Sequence, residues 1–381
     1  MTMVVFPLPR LASRPAWPRS WCLPAALAAA LLLAAGQARA EPYLAVGAGL
    51  KCVQCHVNPT GGGKRNLFGM TYARTQLARR RVLAESDLPD WNSSVGKWLG
   101  LGGDYRAAYF DANVPGRRDE SRTEVLKSTV YAEVRAVPQL LTFYFDEQVA
   151  PGNSLDREYY ALVTPGGGKY TVKVGQFFLP FGWRLQDDTA FVRQRSGINM
   201  ETPDDGIELG LELPKWSAQI ASTNGTSGTG SVPGKDQWSL SAVYVRPRWR
   251  LGASHNMIDD PLGDRTMTAL FAGFNTGPIT WLAELDFIED DVPGFGSQET
   301  YATLFEGNWR LAKGHNLKVT YEFLDPSDAA SEDEQERYSI VWEHFPMQLL
   351  QARVGWRAYN GVPSSPFTNR DELFAELHFY F

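Results

Sequence analysis

The chain has 381 residues, with 37 basic and 43 acidic side chains and a formal charge of −6 at pH 7. So mild a charge gives no electrostatic footprint for nucleic acid. It carries twelve Trp, fifteen Tyr, twenty Phe and thirty-five Gly, and no apolar run after residue 40 is long enough for a membrane helix, which narrows the class to a large all-β architecture of many short strands.

The first 40 residues read as a cleaved signal peptide. Arg10, Arg14 and Arg19 precede an uncharged apolar run from Trp21 to Ala35, and Ala38-Arg39-Ala40 supplies the small-x-small cleavage pattern before Glu41. A retained anchor is the weaker reading, because the run is short and ends in a cleavage site. Of the three cysteines, Cys22 falls in this removed stretch.

The two cysteines left to the mature chain belong to Cys52-Val53-Gln54-Cys55-His56. Cys-x-x-Cys-His is the attachment pattern of a c-type haem. Cys52 and Cys55 would form the thioethers to one covalently bound haem c, and His56 would be the proximal iron ligand. A redox dithiol would sit beside a βαβ pattern, which is missing here. A structural zinc lacks nearby ligands, since the next histidine is His255.

Residues 41–96 form this small α-helical haem segment. At fewer than about 60 residues it needs a second surface to lean on, so it is expected to plug whatever follows. A helix is expected from Lys64 or Asn66 to Val82, with Met70, Ala73 and Leu77 on one face. Met70 is the first candidate for the distal ligand, the rival reading being a core methionine. Arg79 and Arg80, with Arg81, are candidate partners for haem propionates or pore-mouth acids, the alternative being a solvated charge run.

From residue 97 to residue 381 the pattern becomes period-two alternation broken by turns. Strands are expected near 98–111, 122–136, 140–147, 157–164, 170–178, 206–213, 216–223 and 236–246. Eight more follow near 249–257, 267–275, 279–289, 300–310, 315–324, 336–344, 349–359 and 371–381. These make about sixteen, an even number, as an antiparallel transmembrane β-barrel of the bacterial outer membrane requires. Short turns such as Val137-Pro138-Gln139 and Gly277-Pro278 alternate with longer polar connections, among them 258–266 and 290–299. Leu317, Val319, Tyr321 and Phe323 suit lipid, whereas Lys318, Thr320 and Glu322 between them suit a watery lumen. The acidic runs at 289–291 and 325–336 fall in outer loops, where hard carboxylate oxygens suit divalent cations or are simply solvated.

The last strand, ending Leu373, Ala375, Leu377, Phe379 and Phe381 on one face, resembles the C-terminal assembly signal of outer-membrane barrels. On its other face His378 is expected in the lumen near the periplasmic mouth. It is the alternative distal ligand or a propionate partner, against the plainer reading of a lumen histidine. Gly175-Gln176-Phe177-Phe178-Leu179-Pro180-Phe181-Gly182 resembles the strand-into-loop turn of phosphate-selective porins. That resemblance implies that the following loop folds into the lumen as a constriction bearing Arg184, Arg193 and Arg195, although Asp187 and Asp188 among them weigh against pure anion selectivity.

A signal peptide, one haem motif near the mature N-terminus and a barrel of about sixteen strands together resemble the fused monohaem cytochrome–porins of iron-oxidising bacteria. The resemblance implies electron passage between an extracellular donor, Fe(II) foremost, or an acceptor, and periplasmic c-type cytochromes. It leaves the choice between an electron carrier and an iron(II) oxidase open. The alternative is a solute porin with a haem-bearing plug or sensor.

Overall fold

The structure, a computed structural model, describes residues 41–82, 92–152, 154–198, 202–225, 236–259, 263–294 and 296–381. The signal peptide expected over residues 1–40 lies outside the described residues, as does the stretch 83–91 of the N-terminal segment.

The alternating part of the chain forms sixteen long strands. They are β1 Leu99–Asn113, β2 Glu120–Val137, β3 Leu141–Ala150, β4 Leu155–Val163, β5 Tyr170–Phe177, β6 Asp204–Glu212, β7 Trp216–Thr223 and β8 Asp236–Val245. The series continues with β9 Trp249–Asp259, β10 Asp264–Asn275, β11 Ile279–Val292, β12 Gly296–Ala312, β13 His315–Asp325, β14 Gln335–Met347, β15 Leu350–Asn360 and β16 Asp371–Tyr380. Each pairs antiparallel with the next, and β16 pairs with β1 from Asp371↔Asn113 to Tyr380↔Asp104, closing the barrel. A two-residue strand, Ser94–Val95, extends the ladder at the foot of β1. Closure gives every strand two partners, the condition for a sheet to sit in hydrocarbon.

The faces sort by the pleat. On β13 Val319 is 49% exposed, whereas Lys318, Thr320 and Glu322 are buried. On β11 Leu285 and Phe287 point outward and Glu284 and Asp286 inward. Exposed Trp216, Trp249, Phe274, Trp309 and Trp342 lie next to the short turns as an aromatic girdle. This apolar outer band contacts lipid, and the barrel belongs to the bacterial outer membrane. Both ends of the barrel sequence lie on the side of the short turns, which is the periplasmic side.

Two features depart from the sequence expectation. The connections expected over 258–266 and 290–299 shrink to 260–263 and 293–295, because β9 to β12 continue with polar pairs such as Arg265↔Asp290. Ladder hydrogen bonds hold a strand together in water as well as in lipid, so polarity alone does not end it. The lumen is also not simply watery. Inward-facing Phe271, Leu282, Leu304 and Leu324 pack with Tyr43, Leu44, Val46, Trp183 and Phe191 in one apolar cluster.

Those last five residues come from two insertions that occupy the lumen. The N-terminal segment supplies α1 Pro42–Ala48, α2 Cys52–Cys55 and α3 Leu67–Tyr72, the last continuing as a π-helical turn, Ala73–Leu77. The loop between β5 and β6 supplies α4 Phe191–Ser196. Pro42 opens α1 and left-handed Gly49 (φ 65°) closes it against the backbone of Pro247. Gly273 on β10 makes room for α1, since a Cβ there would stand 2.6 Å from Val46 Cγ2. Asn66 caps α3 by accepting from the Gly69 N–H at 3.0 Å. The helix expected to reach Val82 ends at Leu77, because the Arg79 N–H then donates to the Phe345 carbonyl at 2.8 Å.

The outward position of Leu285 midway along β11 gives a direct test of the bilayer assignment. Leu285→Arg is expected to destabilise the barrel by about 2–4 kcal/mol in lipid vesicles, measured by denaturant titration.

Candidate functional site

Lys51 opens α2: its backbone N–H donates to the Gln54 side chain at 2.8 Å, and its ammonium is held by Glu212 at 2.9 Å and by the Trp216 carbonyl. These partners border the turn between β6 and β7, so α2 is fixed near the periplasmic end of the lumen. On its other side α3 packs closely, and a Cβ at Gly69 would fall on the Cys55 carbonyl. Cys52, Cys55 and His56 line one partly open cavity with about 1130 Å³ of space, solvent at its mouth included.

The same cavity is lined by Phe178, Phe181 and Trp183 of the loop and by Val243, Val245 and Phe271 of the wall. Phe271 lies four residues before the end of β10 at Asn275. Phe178, which also lines the cavity, directly follows the outer end of β5, so the cavity extends from the periplasmic half of the wall up to the folded-in loop. Both thiols are free of disulfide. Burial pushes the Cys52 thiol up, outweighing nearby Arg250, the reverse of the lowered value that activates a redox dithiol. The cavity brings two thiols and an imidazole into contact with one space lined largely by aromatic and aliphatic side chains.

The turn after His56 is docked rather than loose. His56 bridges to Arg65 across it, and buried Asn58 donates to Glu158 at 2.8 Å while accepting from Lys173 at 3.1 Å. The Lys64 N–H donates to the Tyr144 hydroxyl at 2.9 Å. Left-handed Gly62 (φ 73°) sits against the Arg184 guanidinium, where a Cβ would collide.

The loop between β5 and β6 closes the cavity from the outer side. Its backbone donates to wall carboxylates: Trp183 N–H to Glu284 at 3.0 Å and Phe191 N–H to Glu322 at 2.8 Å. Asp187 bridges Arg337 and Arg357, each at 3.0 Å. Burial alone would raise its carboxyl, but Arg357 and Arg337 outweigh that and hold it well below the ordinary carboxylate range.

The structure brings together only some of the residues singled out from the sequence. Met70 is buried on α3, behind α2, and the described residues that line the cavity include no methionine and no histidine besides His56. His378 is buried with both ring nitrogens engaged, Nδ1 with Gln351 at 2.9 Å and Nε2 with Asp104 at 2.8 Å. Arg79 and Arg80 are exposed beside Phe345 and Met347, away from the cavity wall. Arg184 holds the plug through the Gly61 carbonyl and pairs with Glu158 at 3.3 Å. Arg193 is buried against Glu284, and Arg195 is exposed. Sequence reasoning missed Arg250, which lines the cavity and donates to the Leu50 carbonyl. Its one signal was a charge at an inward position of β9. The acidic outer-loop residues do not converge: no metal-binding group of His, Cys, Asp and Glu is found among the described residues.

The chain matches no known sequence family, and no curated protein is similar to it in sequence. Solved structures do resemble it. An anion-selective porin from Comamonas acidovorans aligns with TM-score 0.60 at 11% identity, covering 74% of this chain and 99% of that one. Salmonella typhi OmpF in complex with daunomycin gives 0.58 at 9% identity over 75% and 98% of the two chains. OmpT of Vibrio cholerae gives 0.56 at 10% identity over 74% and 97%. At such identities the likeness is one of fold: a porin-like outer-membrane barrel.

The depressed Asp187 carboxyl carries a sign that can be checked. Its stabilising contribution is present above the unfolded carboxyl value near 3.9 and is lost as the pH falls below it. The denaturation midpoint is expected to drop below about pH 4. Asp187→Asn should cost about 2 kcal/mol at pH 7 and flatten that acid limb.

Proposed function

We propose that this protein is a cytochrome–porin fusion in which one covalent haem c, held in the lumen, passes electrons between periplasmic c-type cytochromes and an extracellular partner. What carries this reading is the placement of Cys52, Cys55 and His56 inside the barrel, on one cavity that the folded-in loop covers. The residues fit the group that the motif implies. Two thiols and an imidazole line the cavity together with aromatic and aliphatic side chains, and Arg250, which pairs with no carboxylate among the described residues, offers a cation beside them. Fe(II) as the outer donor is what the resemblance to the cytochrome–porins of iron oxidisers implies.

In this reading Cys52 and Cys55 tether the haem and His56 ligates its iron, and the bound group supplies a one-electron carrier. The protein's own part is to orient and insulate. α3 and the Lys51 clamp fix α2, so that the imidazole keeps one position. Phe178, Phe181, Trp183 and Phe271 keep water from the cavity's outer side, which lowers the local dielectric and so bears on the reduction potential. The apolar cluster that joins α1, the loop and the wall occupies space that a solute pore would need for water, which favours electron passage over solute passage.

Covalent attachment is the first thing to measure. The membrane fraction should give a haem-staining band at the protein's mass on a denaturing gel, and Cys52→Ala/Cys55→Ala should lose it. Met70→Ala should leave the visible spectrum unchanged while costing about 2–5 kcal/mol of stability as a core truncation. A changed spectrum would instead make Met70 an iron ligand. In liposomes enclosing a redox dye, external Fe(II) is expected to reduce the dye, and His56→Ala should abolish this. Solute leakage without dye reduction would support a plugged solute porin.

A further inference from the structure

A second partly open cavity adjoins the first, and His56, Gly62 and Arg184 line both. Its character is different. The inward faces of β1 and β2 contribute Arg106 and Lys127, and the turn after His56 contributes Arg65. Lys127 is 4% exposed, and its ammonium has no hydrogen-bond acceptor among the described residues. A buried ammonium without a hydrogen-bond acceptor is costly, and lysines are almost never so buried without a partner.

Asp188 of the loop and Asp104 both attract Lys127 through space, and Asp104 and Glu41 are already committed. Asp104 stands 3.0 Å from Arg106 and also meets His378 Nε2 at 2.8 Å. Glu41 is held by Lys318 at 3.2 Å. Arg184 is taken by Glu158 and the Gly61 carbonyl. Arg65 lies over the Tyr380 ring at 4.4 Å, and its Nε has no hydrogen-bond partner among the described residues. The chamber therefore presents Lys127, Arg106 and Arg65 against Asp104 and Glu41 of its lining and the neighbouring Asp188, with the Lys127 ammonium accepted by no hydrogen-bond partner among the described residues.

We propose that this second chamber is an anion site in which Lys127, supported by Arg65 and Arg106, holds a small oxyanion or a carboxylate. The same chemistry has two sources: a free oxyanion entering from the periplasm, or the carboxylates of the porphyrin placed in the adjoining cavity. Only the second source rests on the haem reading. The site itself stands on the charge and burial of the chamber.

Sulfate is the probe, because its charge does not change with pH near neutrality. It is titrated calorimetrically into the full chain in detergent, in the haem-loaded form and in the haem-free Cys52→Ala/Cys55→Ala form. Binding in both forms identifies a free-oxyanion site, and binding in the haem-free form alone assigns the chamber to the porphyrin's carboxylates. In either case Lys127→Met, which keeps the chain length and removes the charge, should weaken binding at least tenfold. It should also raise the denaturation midpoint in sulfate-free buffer, since a buried ammonium without a hydrogen-bond acceptor is gone. Absence of binding in both forms, or binding that Lys127→Met leaves unchanged, overturns the proposal. If the wild-type chain carries no haem, the haem reading fails by staining, and the sulfate titration still decides the anion site.

Discussion

In hydrocarbon no backbone N–H or C=O can be left without a partner, and this constraint shapes the whole molecule. It forces the sheet to close through β16 and β1. With sixteen strands, closure leaves a lumen wider than the wall's own side chains can fill. Everything functional here follows from how that space is filled.

The filling uses apolar contact and paired charge together. Tyr43, Leu44 and Val46 of α1 share one apolar cluster with Trp183 and Phe191 of the loop and with Leu282, Leu304 and Leu324 of the wall. Around it the wall's charges are neutralised rather than solvated. Lys173 meets Glu208 at 2.9 Å with both side chains fully buried, and Arg157 meets Asp146 at 3.1 Å. Asp187, Glu284 and Glu322 tie the loop to the wall, as Asn58 and Lys64 tie the plug. Buried pairs of this kind contribute little net stability, but losing one partner is costly. They therefore fix the position of the insertions more than they add to the strength of the barrel.

That positioning gives the cysteine pair its surroundings. On a free peptide of this length α2 would be a single turn with nothing to hold it. Inside the barrel it is clamped at Lys51, backed by Gly69 and faced by the aromatic loop. The cavity and its charged neighbour share His56, so the plug's one cavity-lining imidazole stands between an apolar chamber and a cationic one.

The barrel was legible in the sequence because its signal is local. A strand buried on one face must alternate, and residues such as Val319 and Lys318 reveal their sides one position apart. The Cys52, Cys55 and His56 spacing and the Asn66 cap are equally local. What the alternation could not reveal was why Phe271, Leu282, Leu304 and Leu324 break it at inward positions. Those residues answer to α1 and to the loop, hundreds of residues away or across the lumen, and no local period records such a partner. The same distance hid Arg250 and Lys127. It also separated Met70 from the cavity, since helical spacing gives a residue its face but not what that face meets. The sequence alone thus determined the closed barrel, the outward lipid face and the existence of the cysteine–histidine motif, all set by contacts along the chain or between adjacent strands. Only the tertiary structure decided what fills the lumen and which side chains surround the motif, because those contacts form between segments that meet only after the barrel has closed.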